Sequence, residues 1–382
     1  MGFIMSWRGM LWAVLAAGVL FAGGFWGWAP TLPSRTGGTG GPPIPAGENG
    51  RAPAALKPKK NRRPLVAIVG INDATETTDY LLPYGILRRA DVDGVVALAT
   101  KAGPVTLFPA LKVEPQATVA EFDARHPGGA DYVVVPAMSR DDDPAALTWI
   151  KAQAAKGAVI IGVCAGAKVV AAAGLLDGKR GTTHWYYLKE MRGDHPAIDY
   201  VADRRIVADG NVVTTTGITA SMPMMLTLIE AIAGREKAEV VAKDLGLATW
   251  DARHSSKAFT FTRPFALTAM RNAASVWSHE RFGIALTPGV DEASLALVAD
   301  AWSRTYRSNA VTFARAAAAV ESRNGLRIVP DQVASDWPPE RHLPQIGTAP
   351  PAKALDDTLT AIRARYGKST AELVAMQLEY PR

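Results

Sequence analysis

The chain has 382 residues, enough for about two domains with a sizeable core, and 48% of them are hydrophobic while 20% are charged. The net charge of the chain is +6, but the first 63 residues alone contribute +7, with eight basic residues and one acidic residue. The rest of the chain holds 34 basic and 35 acidic residues, and this nearly neutral charge argues against a nucleic-acid-binding domain. A single cysteine, Cys164, excludes an intramolecular disulfide.

The N-terminal region contains a run of 19 residues without a charge, at 10–28, which is long enough for a helix to span a bilayer. Tryptophans lie near both ends of this run, as interfacial anchors do. We expect residues 1–30 to form a signal anchor or transmembrane helix of a single-pass inner (plasma) membrane protein; a cleavable signal peptide is the alternative. We expect the body to be periplasmic because Arg8 precedes the run; the basic residues of 51–63 favour the opposite orientation but lie farther from the run, where the rule weakens.

Residues 31–63 are rich in Pro and Gly and end in a basic run, which predicts a disordered linker. From residue 64 onward, short apolar runs alternate with helical patterns, which is typical of a parallel sheet with helices on both faces. In chain order we expect a strand at 65–70, a helix ending near 89, strands at 95–99 and 131–136 separated by a helix at 118–127, a helix at 144–156, a strand at 158–163, a helix at 165–176, a hairpin at 204–217 and helices at 218–233 and 236–245.

The second half of the chain has a weaker pattern. Residues 282–302 predict a strand followed by a helix, and their sequence echoes that of 65–87. Strand–helix units look alike by chance, so the echo is a weak sign of repetition. We expect residues 246–382 to form a C-terminal α/β lobe, a degenerate partial repeat that packs onto the first domain and is inert because it has no cysteine; Ser294 stands where the first unit has Asp79.

The strongest local motif is Gly162-Val163-Cys164-Ala165-Gly166, which joins an apolar strand to a helix of small residues. In a nucleophile elbow the reactive residue is strained at such a turn, and its neighbours two positions away must be small. Gly162 and Gly166 meet this need. A helix N-terminus also favours thiolate, which predicts a low pKa for Cys164. The alternative is a buried cysteine with only a packing role.

At these positions the chain resembles the ThiJ/PfpI family of the class I glutamine amidotransferase-like superfamily. The similarity is carried by VCAGAKVVAAAGLLDGKRGTTHW at 163–185 and DRRIVADGNVVTTTGITA at 203–220. The branch is the one that includes isonitrile hydratases and the amidase-like half of AraC-type regulators. The resemblance covers residues 64–245 and implies a flavodoxin-like, three-layer α/β/α sandwich with a mostly parallel sheet.

The resemblance also implies side chains that act with Cys164. His184 matches the histidine that follows the elbow helix in the family, where a neutral imidazole takes or returns a proton. Asp79 matches a carboxylate four residues before a proline, here Pro83, and this acid approaches the sulfur. Glu76, one helical turn earlier, is the fallback for the same role.

Backbone N–H groups of Ala137, Met138 and Ala165 are expected to form an oxyanion hole. The chain departs from the family here, because two glycines often follow the position of Pro136. Isonitrile hydratases carry a hydroxyl residue directly after the cysteine, where this chain has Ala165. An aspartate common in this branch is replaced by Pro223. Because of these departures, the resemblance does not identify the substrate.

Three functions are consistent with these residues. The first is a membrane-anchored cysteine hydrolase, hydratase or lyase that acts on a small molecule. The second is a non-catalytic redox or ligand sensor, or binding module, that uses Cys164. The third is a relative of AraC-type regulators without the DNA-binding part, since no helix-turn-helix pattern follows residue 245.

The expected partners are a small-molecule substrate or ligand and the membrane, through residues 10–28, but no nucleic acid; a homodimer is left open. No cofactor is expected. No metal is expected either, because the histidines and acids do not have the spacing of metal ligands.

Overall fold

The computed structural model describes residues 29–34, 38, 40–59, 63–92 and 94–380. The strands, in chain order, are β1 (Val66–Gly70), β2 (Asp73–Glu76), β3 (Val95–Ala99), β4 (Val105–Phe108), β5 (Lys112–Glu114), β6 (Ala117–Thr118), β7 (Tyr132–Val135), β8 (Val159–Gly162), β9 (Arg180–Gly181), β10 (Asp199–Tyr200), β11 (Ile206–Asp209), β12 (Val212–Thr215), β13 (Glu280–Ala285), β14 (Ser308–Ala314), β15 (Val320–Glu321), β16 (Arg327–Ile328) and β17 (Gln332–Val333).

The α-helices, in chain order, are α1 (Ala46–Asn49), α2 (Arg51–Leu56), α3 (Thr77–Arg89), α4 (Val119–Arg125), α5 (Pro144–Ala155), α6 (Gly166–Ala172), α7 (Leu188–Asp194), α8 (Ser221–Ala233), α9 (Arg235–Leu245), α10 (Arg263–Ala273), α11 (Glu292–Ser303), α12 (Pro351–Tyr366) and α13 (Lys368–Gln377). Short 3₁₀ helices lie at Ala29–Thr31, Trp185–Tyr187, Ile218–Ala220, Ser256–Ala258, Val276–Ser278 and Pro339–Arg341.

A seven-stranded sheet forms the centre of the first half, in the order β11-β12-β8-β7-β1-β3-β6. Its neighbouring strands are parallel, except that β11 and β12 form an antiparallel hairpin. The carboxyl ends of parallel strands meet at one edge of a sheet, so the loops after β1, β7 and β8 converge there.

Alternate residues of the strands face two separate cores, because successive side chains of a strand point to opposite faces. Val66 and Ile68 of β1 pack in the same core as residues of α3, α8 and α9. Ala67 and Val69 pack in a second core with residues of α4, α5 and α6. This is the flavodoxin-like three-layer α/β/α sandwich that the sequence predicts.

Capping side chains decide where the helices near this edge begin. Asp143 accepts a hydrogen bond from the Ala146 N–H at 3.1 Å, and Pro144 occupies the first turn of α5. Glu76 caps α3 by accepting from the Asp79 N–H at 2.6 Å. Because Glu76 is also a predicted site residue, the start of α3 fixes its position.

The prediction of an N-terminal transmembrane helix is corrected. Within the residues that the structure describes, no helix is both long enough and apolar enough to cross a membrane. The run at 10–28, on which the prediction rested, lies outside those residues. The predicted fold class with a transmembrane helix, the membrane as a partner and the single-pass inner-membrane location with a periplasmic body therefore do not stand.

The predicted disordered linker contains the two short helices α1 and α2. Helix α2 packs against α8 and β11. Leu56, at the end of α2, is fully buried, and its carbonyl oxygen accepts a hydrogen bond from the Tyr132 hydroxyl at 2.6 Å. A few apolar side chains thus anchor a segment whose Pro and Gly content had suggested disorder.

The second half contributes its own parallel unit, in which α11 connects β13 to β14 and β17 pairs with β14. Strands β15 and β16 extend a different sheet that also contains β2, β4 and β5 of the first half. Helix α11 packs directly against α3. The second half is therefore built onto the first through both a sheet and a helix pair.

Two reciprocal ion pairs join α3 to α11. Glu76, the N-cap of α3, accepts from Arg304, the residue that follows α11, at 2.7 Å. Asp291, the N-cap of α11, accepts in the same way from Arg89 at the end of α3. Extending the sequence echo aligns Glu76 with Asp291 and Arg89 with Arg304. The symmetry supports the partial repeat, which stays a prediction together with the domain boundaries.

Replacing Arg89 should destabilise the contact between α3 and α11. The Arg89 side chain is 3% exposed, and Glu292 beside it is fully buried, so Arg89→Met leaves the buried carboxyl group of Glu292 without its cation at a cost of about 3–5 kcal/mol. Urea unfolding followed by circular dichroism measures the loss. Lys237→Met, which breaks an exposed pair with Asp91, is the control and should leave the midpoint unchanged. Equal midpoints for the two variants would contradict the expectation.

Candidate active site

Cys164 lies two residues after β8 and two residues before α6, at the carboxyl edge of the sheet. Its φ angle is +55°, a left-handed conformation that side-chain-bearing residues seldom adopt. Two threonines hold this turn: the Cys164 N–H donates to Thr215 Oγ1 and the Thr183 hydroxyl donates to the Cys164 carbonyl, each at 3.1 Å. The strained strand-to-helix turn of an elbow is therefore in place.

The two glycines of the motif are required by the space around them. A Cβ atom on Gly166 would lie 1.9 Å from the carbonyl oxygen of Val135, and one on Gly162 would lie 3.0 Å from the Cα of Ala167. The backbone at the start of α6 consequently packs directly on the ends of β7 and β8, and this contact sets the direction in which the elbow points.

Gly166→Ala should lower the free energy of unfolding by about 1–3 kcal/mol or more, because the added methyl group collides with backbone rather than with a movable side chain. Gly193→Ala, in α7 with no neighbour within 4 Å of its added methyl, is the matched control and should be neutral or slightly stabilising. Thermal unfolding compares them. Indistinguishable melting temperatures would show that the close approach at Gly166 does not constrain the elbow.

A buried acid cluster lies beside the elbow and includes residues from both halves of the chain. The Arg304 guanidinium donates to Glu76 and to Asp300, each at 2.7 Å. Asp79 Oδ2 accepts from the Ala137 N–H at 3.1 Å, whereas Asp79 Oδ1 is buried without a hydrogen-bond partner among the described residues. Two carboxyl groups thus contact one guanidinium, and the third, Asp79, lies beside Glu76.

Burial raises the pKa values of these carboxyl groups. Burial, with the charge of Asp300 added, raises the pKa of Glu76 to about 7. Burial and then the charge of Glu76 raise the pKa of Asp79 well above its ordinary value. Because neighbouring carboxylates resist a second ionisation, the pair of Glu76 and Asp79 retains a proton near neutral pH. It can therefore both give and take a proton.

The pKa of Cys164 is high, where the sequence predicts a low one. The residue is 4% exposed, and burial followed by the charges of Asp79 and Glu76 raises the pKa of its thiol well above the ordinary value. The Ala165 N–H, directed at the sulfur, lowers the pKa of the thiol but not enough to compensate. Burial outweighs the N-terminus of a helix of seven residues, so the resting group is the thiol.

His184 lines the same space as Cys164, but backbone groups engage both of its ring nitrogens. Nδ1 accepts from the Tyr186 N–H at 3.2 Å, and Nε2 lies 2.9 Å from the carbonyl oxygen of Gln377, so Nε2 carries the proton. Burial lowers the pKa of His184 and keeps the ring neutral. The predicted transfer of a proton from Cys164 to His184 is therefore blocked in this arrangement, and the ring instead anchors the end of α13.

The three predicted oxyanion-hole donors have different surroundings. The Ala137 N–H already donates to Asp79, so it is not free to bind an oxyanion. Met138 is on the cavity wall and forms an isolated bridge with Thr75. The Ala165 N–H points at the Cys164 sulfur. Of the three predicted donors, the Ala165 N–H is consequently the one that lies at the sulfur.

Cys164 opens into a cavity of about 430 Å³, which we call the reactive cavity. Glu76 and His184 line it from the first half of the chain, whereas Asp79 lies behind the wall. Arg304 and Gln377 line it from the second half. Its volume suits a small molecule, and both halves are needed to enclose it.

Lys168 closes one side of the reactive cavity. Its ammonium nitrogen lies 2.7 Å from Asp141 and 2.6 Å from Glu190. Arg304, the other basic residue among the lining residues, is paired with Glu76 and Asp300. The cations of this cavity are therefore balanced by carboxylates of the protein.

Sequence reasoning missed the residues that the second half contributes. Arg304, Asp300 and Gln377 belong to a segment that was expected to be inert. A signal for Arg304 was present, because the sequence echo places it opposite Arg89. Among the described residues, no group of three or more His, Cys, Asp or Glu side chains is arranged to hold a metal ion.

The sequence pattern of the DJ-1/PfpI family matches residues 66–231. An isonitrile hydratase of Pseudomonas putida is 38% identical over 172 residues, which are 44% of this chain and 71% of that protein. The chain belongs to the DJ-1/PfpI family. The resemblance seen at the elbow is thereby confirmed, and Arg304 lies outside the part that matches the pattern of the DJ-1/PfpI family.

Two DJ-1 proteins of the family are similar over the same half of the chain. The Parkinson disease protein 7 homolog of Danio rerio is 29% identical over 189 residues, which cover 47% of this chain and 97% of that protein. The crystal structure of Drosophila melanogaster DJ-1beta covers 49% of this chain and 100% of its own, with 25% identity and a TM-score of 0.43.

Alkylation by iodoacetamide should report the high pKa of the Cys164 thiol, since the chain has one cysteine and thiolate is the reacting form. We expect the rate to rise with pH well beyond neutrality. Asp79→Asn removes a negative charge that raises the pKa of the thiol, so the profile should move to lower pH. Arg304→Gln removes a cation that favours thiolate, so the profile should move to higher pH.

Asp142→Asn is the control for these profiles, because Asp142 is an exposed carboxylate on the loop beside the reactive cavity and does not line it. Its profile should match that of the unmodified protein. Labelling that occurs only after unfolding, or profiles that coincide for all variants, would contradict the electrostatic account of Cys164.

Proposed function

We propose that this protein is a cysteine-dependent hydratase of a small neutral molecule, with Cys164 as the nucleophile and the pair of Glu76 and Asp79 as the group that moves protons. The observation that carries the proposal is the combination at one point of a strained elbow cysteine, a cavity of small-molecule size and a carboxyl pair that retains a proton near neutral pH.

The charges of the reactive cavity favour a neutral substrate. Arg304 and Lys168, the basic residues on its wall, are paired with carboxylates. An anionic substrate would have to displace one of these pairs, and a cationic substrate would meet both ammonium and guanidinium groups. An isonitrile is small and neutral, and the name of the Pseudomonas putida relative supports this substrate class.

The proposed reaction adds water across the terminal carbon of an isonitrile in two steps. First, the carboxyl pair takes the thiol proton of Cys164 and delivers its own proton to the terminal carbon, while the sulfur bonds to that carbon and forms a thioimidate. Glu76 is the member of the pair that faces the cavity, so it delivers the proton. The raised pKa values of both carboxyl groups suit this exchange.

In the second step, the oxygen of water bonds to the thioimidate carbon, and one of its protons passes to the nitrogen through the carboxyl pair. The carbon–sulfur bond then breaks as the carbonyl forms, and the second proton of the water passes to the sulfur and regenerates the thiol. The products are an N-substituted formamide and the free enzyme, so atoms and charge balance. The Ala165 N–H, which is directed at the sulfur, stabilises the thiolate as it leaves.

The sensor hypothesis has less support. A cysteine that senses oxidants is typically exposed and has a low pKa, because thiolate is the form that oxidants attack. Cys164 is buried and its pKa is raised. A role as a relative of AraC-type regulators finds no separate support in the geometry of this site.

Turnover of benzyl isocyanide to N-benzylformamide, measured by liquid chromatography, tests the proposal. Cys164→Ser should reduce turnover to the uncatalysed background, and Glu76→Gln should lower kcat by about 10²–10⁴-fold. Asp142→Asn should retain full activity. If the unmodified protein labels at Cys164 with iodoacetamide but does not hydrate isonitriles, the nucleophile is real and this substrate class is wrong.

A further inference from the structure

A second cavity, of about 1560 Å³, lies between α7 and the segment around Ser256–Ala258. We call it the rear cavity. The reaction proposed above does not use it. Its floor is made of buried polar side chains, and each of them is at most 6% exposed: Thr183, Thr216, His254 and Glu379. A cavity with a few buried polar groups at its base has the composition of a ligand site.

Glu379 is the charged group of this floor, and its carboxylate is only half satisfied. Oε1 accepts from the Trp185 N–H at 3.0 Å. Oε2 is buried and has no hydrogen-bond partner among the described residues, and His254 Nε2 lies 3.7 Å from it, beyond hydrogen-bond distance. Burial lowers the pKa of His254, so the imidazole is neutral. Arg205 is the nearby cation, and its Nε donates to the Arg253 carbonyl rather than to Oε2. A buried carboxylate oxygen without a donor is costly.

The position of Glu379 is tightly fixed. Its φ angle is +49°, and its carbonyl oxygen accepts from the Thr219 hydroxyl at 2.7 Å. A Cβ atom on Gly217 would lie 2.6 Å from the Glu379 Cγ. The carboxylate is therefore held at the floor of the rear cavity, where Glu379 is one of the lining residues.

Aromatic rings form the walls above Glu379. Trp185 and Tyr186 meet edge to face at 5.6 Å, and Tyr186 lies 6.2 Å from Phe261. His254 stacks on Phe259 at 5.3 Å. Aromatic faces attract cations, and this attraction strengthens where water is excluded. The floor and the walls thus favour the same kind of ligand.

We propose that the rear cavity binds a small organic cation. Its ammonium or amidinium N–H donates to Glu379 Oε2, and its apolar or aromatic body lies against Trp185 and Tyr186. The rim carries three basic residues, Lys189, Arg192 and Lys257, of which Arg192 lies over the Tyr200 ring at 5.8 Å. The attraction for a cation therefore comes from Glu379 and the aromatic walls and not from the rim. The rim also carries carboxylates beside its basic residues.

The rear cavity lies directly behind the elbow. Thr183, on its floor, donates to the Cys164 carbonyl. Thr216, also on its floor, accepts through its carbonyl from Thr215, which in turn accepts from the Cys164 N–H. The carbonyl and the N–H of Cys164 are thus hydrogen-bonded to Thr183, which lines the rear cavity, and to Thr215, which is next to a residue that lines it.

Titration calorimetry with three matched probes tests the proposal on the full chain. Benzamidine, a cation, should bind, whereas the isosteric neutral benzamide and the anionic benzoate should bind at least about 10-fold more weakly. Glu379→Gln keeps the size of the side chain and one acceptor oxygen but removes the charge. It should therefore weaken the binding of benzamidine by about 10–100-fold. Asp199→Asn, which removes an exposed carboxylate that does not line the cavity, should leave the affinity unchanged.

Glu76→Gln separates the two cavities, because Glu76 lines the reactive cavity and not the rear one. Loss of benzamidine binding in Glu76→Gln with retention in Glu379→Gln would overturn the proposal. Equal binding of the three probes would overturn it as well.

Tyr186→Ser provides a second variant if Glu379→Gln does not fold. Tyr186 is 53% exposed, so its replacement should preserve the fold. It should weaken the binding of benzamidine by about 2–5-fold, because one aromatic wall is lost. An unchanged affinity would contradict the placement of the cation against that wall.

Discussion

The ion pair between Arg304 and Glu76 is the contact on which the site depends. Arg304 follows a helix of the second half, and Glu76 caps a helix of the first, so one guanidinium joins two parts of the chain that are 228 residues apart. It sits inside a cluster of buried carboxyl groups and limits how far their pKa values rise. Without this cation, burial would leave the carboxyl groups beside Cys164 neutral over a wider pH range, and they would lose the capacity to exchange protons near neutrality.

The elbow and the acid cluster act in opposite directions on Cys164. The strained turn, the small glycines and the Ala165 N–H present the sulfur for reaction. Burial and the nearby carboxylates keep it protonated. A thiol of this kind reacts when a neighbouring base removes its proton as the new bond forms, rather than by standing as a free thiolate. This balance suits addition to a neutral carbon that must gain a proton in the same step.

The last turn of α13 and the residues after it decide what the other predicted residues do. The Gln377 carbonyl binds the ring of His184, and Glu379 binds the Trp185 N–H. These two contacts remove His184 from proton transfer and place a carboxylate on the floor of the rear cavity. Residues near the end of the chain thereby separate two cavities that share the backbone of one elbow.

The sequence by itself determined the local features. Alternating strands and helices, the small residues on either side of Cys164 and the strings shared with the DJ-1/PfpI family are all encoded within short windows, because strand pairing and tight turns impose their own residue types. The resemblance to the family also predicted that Asp79, with Glu76 as the fallback, approaches the sulfur. Hydropathy, in contrast, predicted a membrane span that the described part of the chain does not contain.

Only the tertiary structure decided the pKa values of the site residues and the groups to which they are hydrogen-bonded. The high pKa of Cys164, the engagement of Ala137 by Asp79 and the capture of His184 by Gln377 depend on burial and on hydrogen bonds between residues 58 to 193 positions apart. No local pattern carries these contacts, because burial is a property of the packed chain and a hydrogen bond depends on where two distant segments meet.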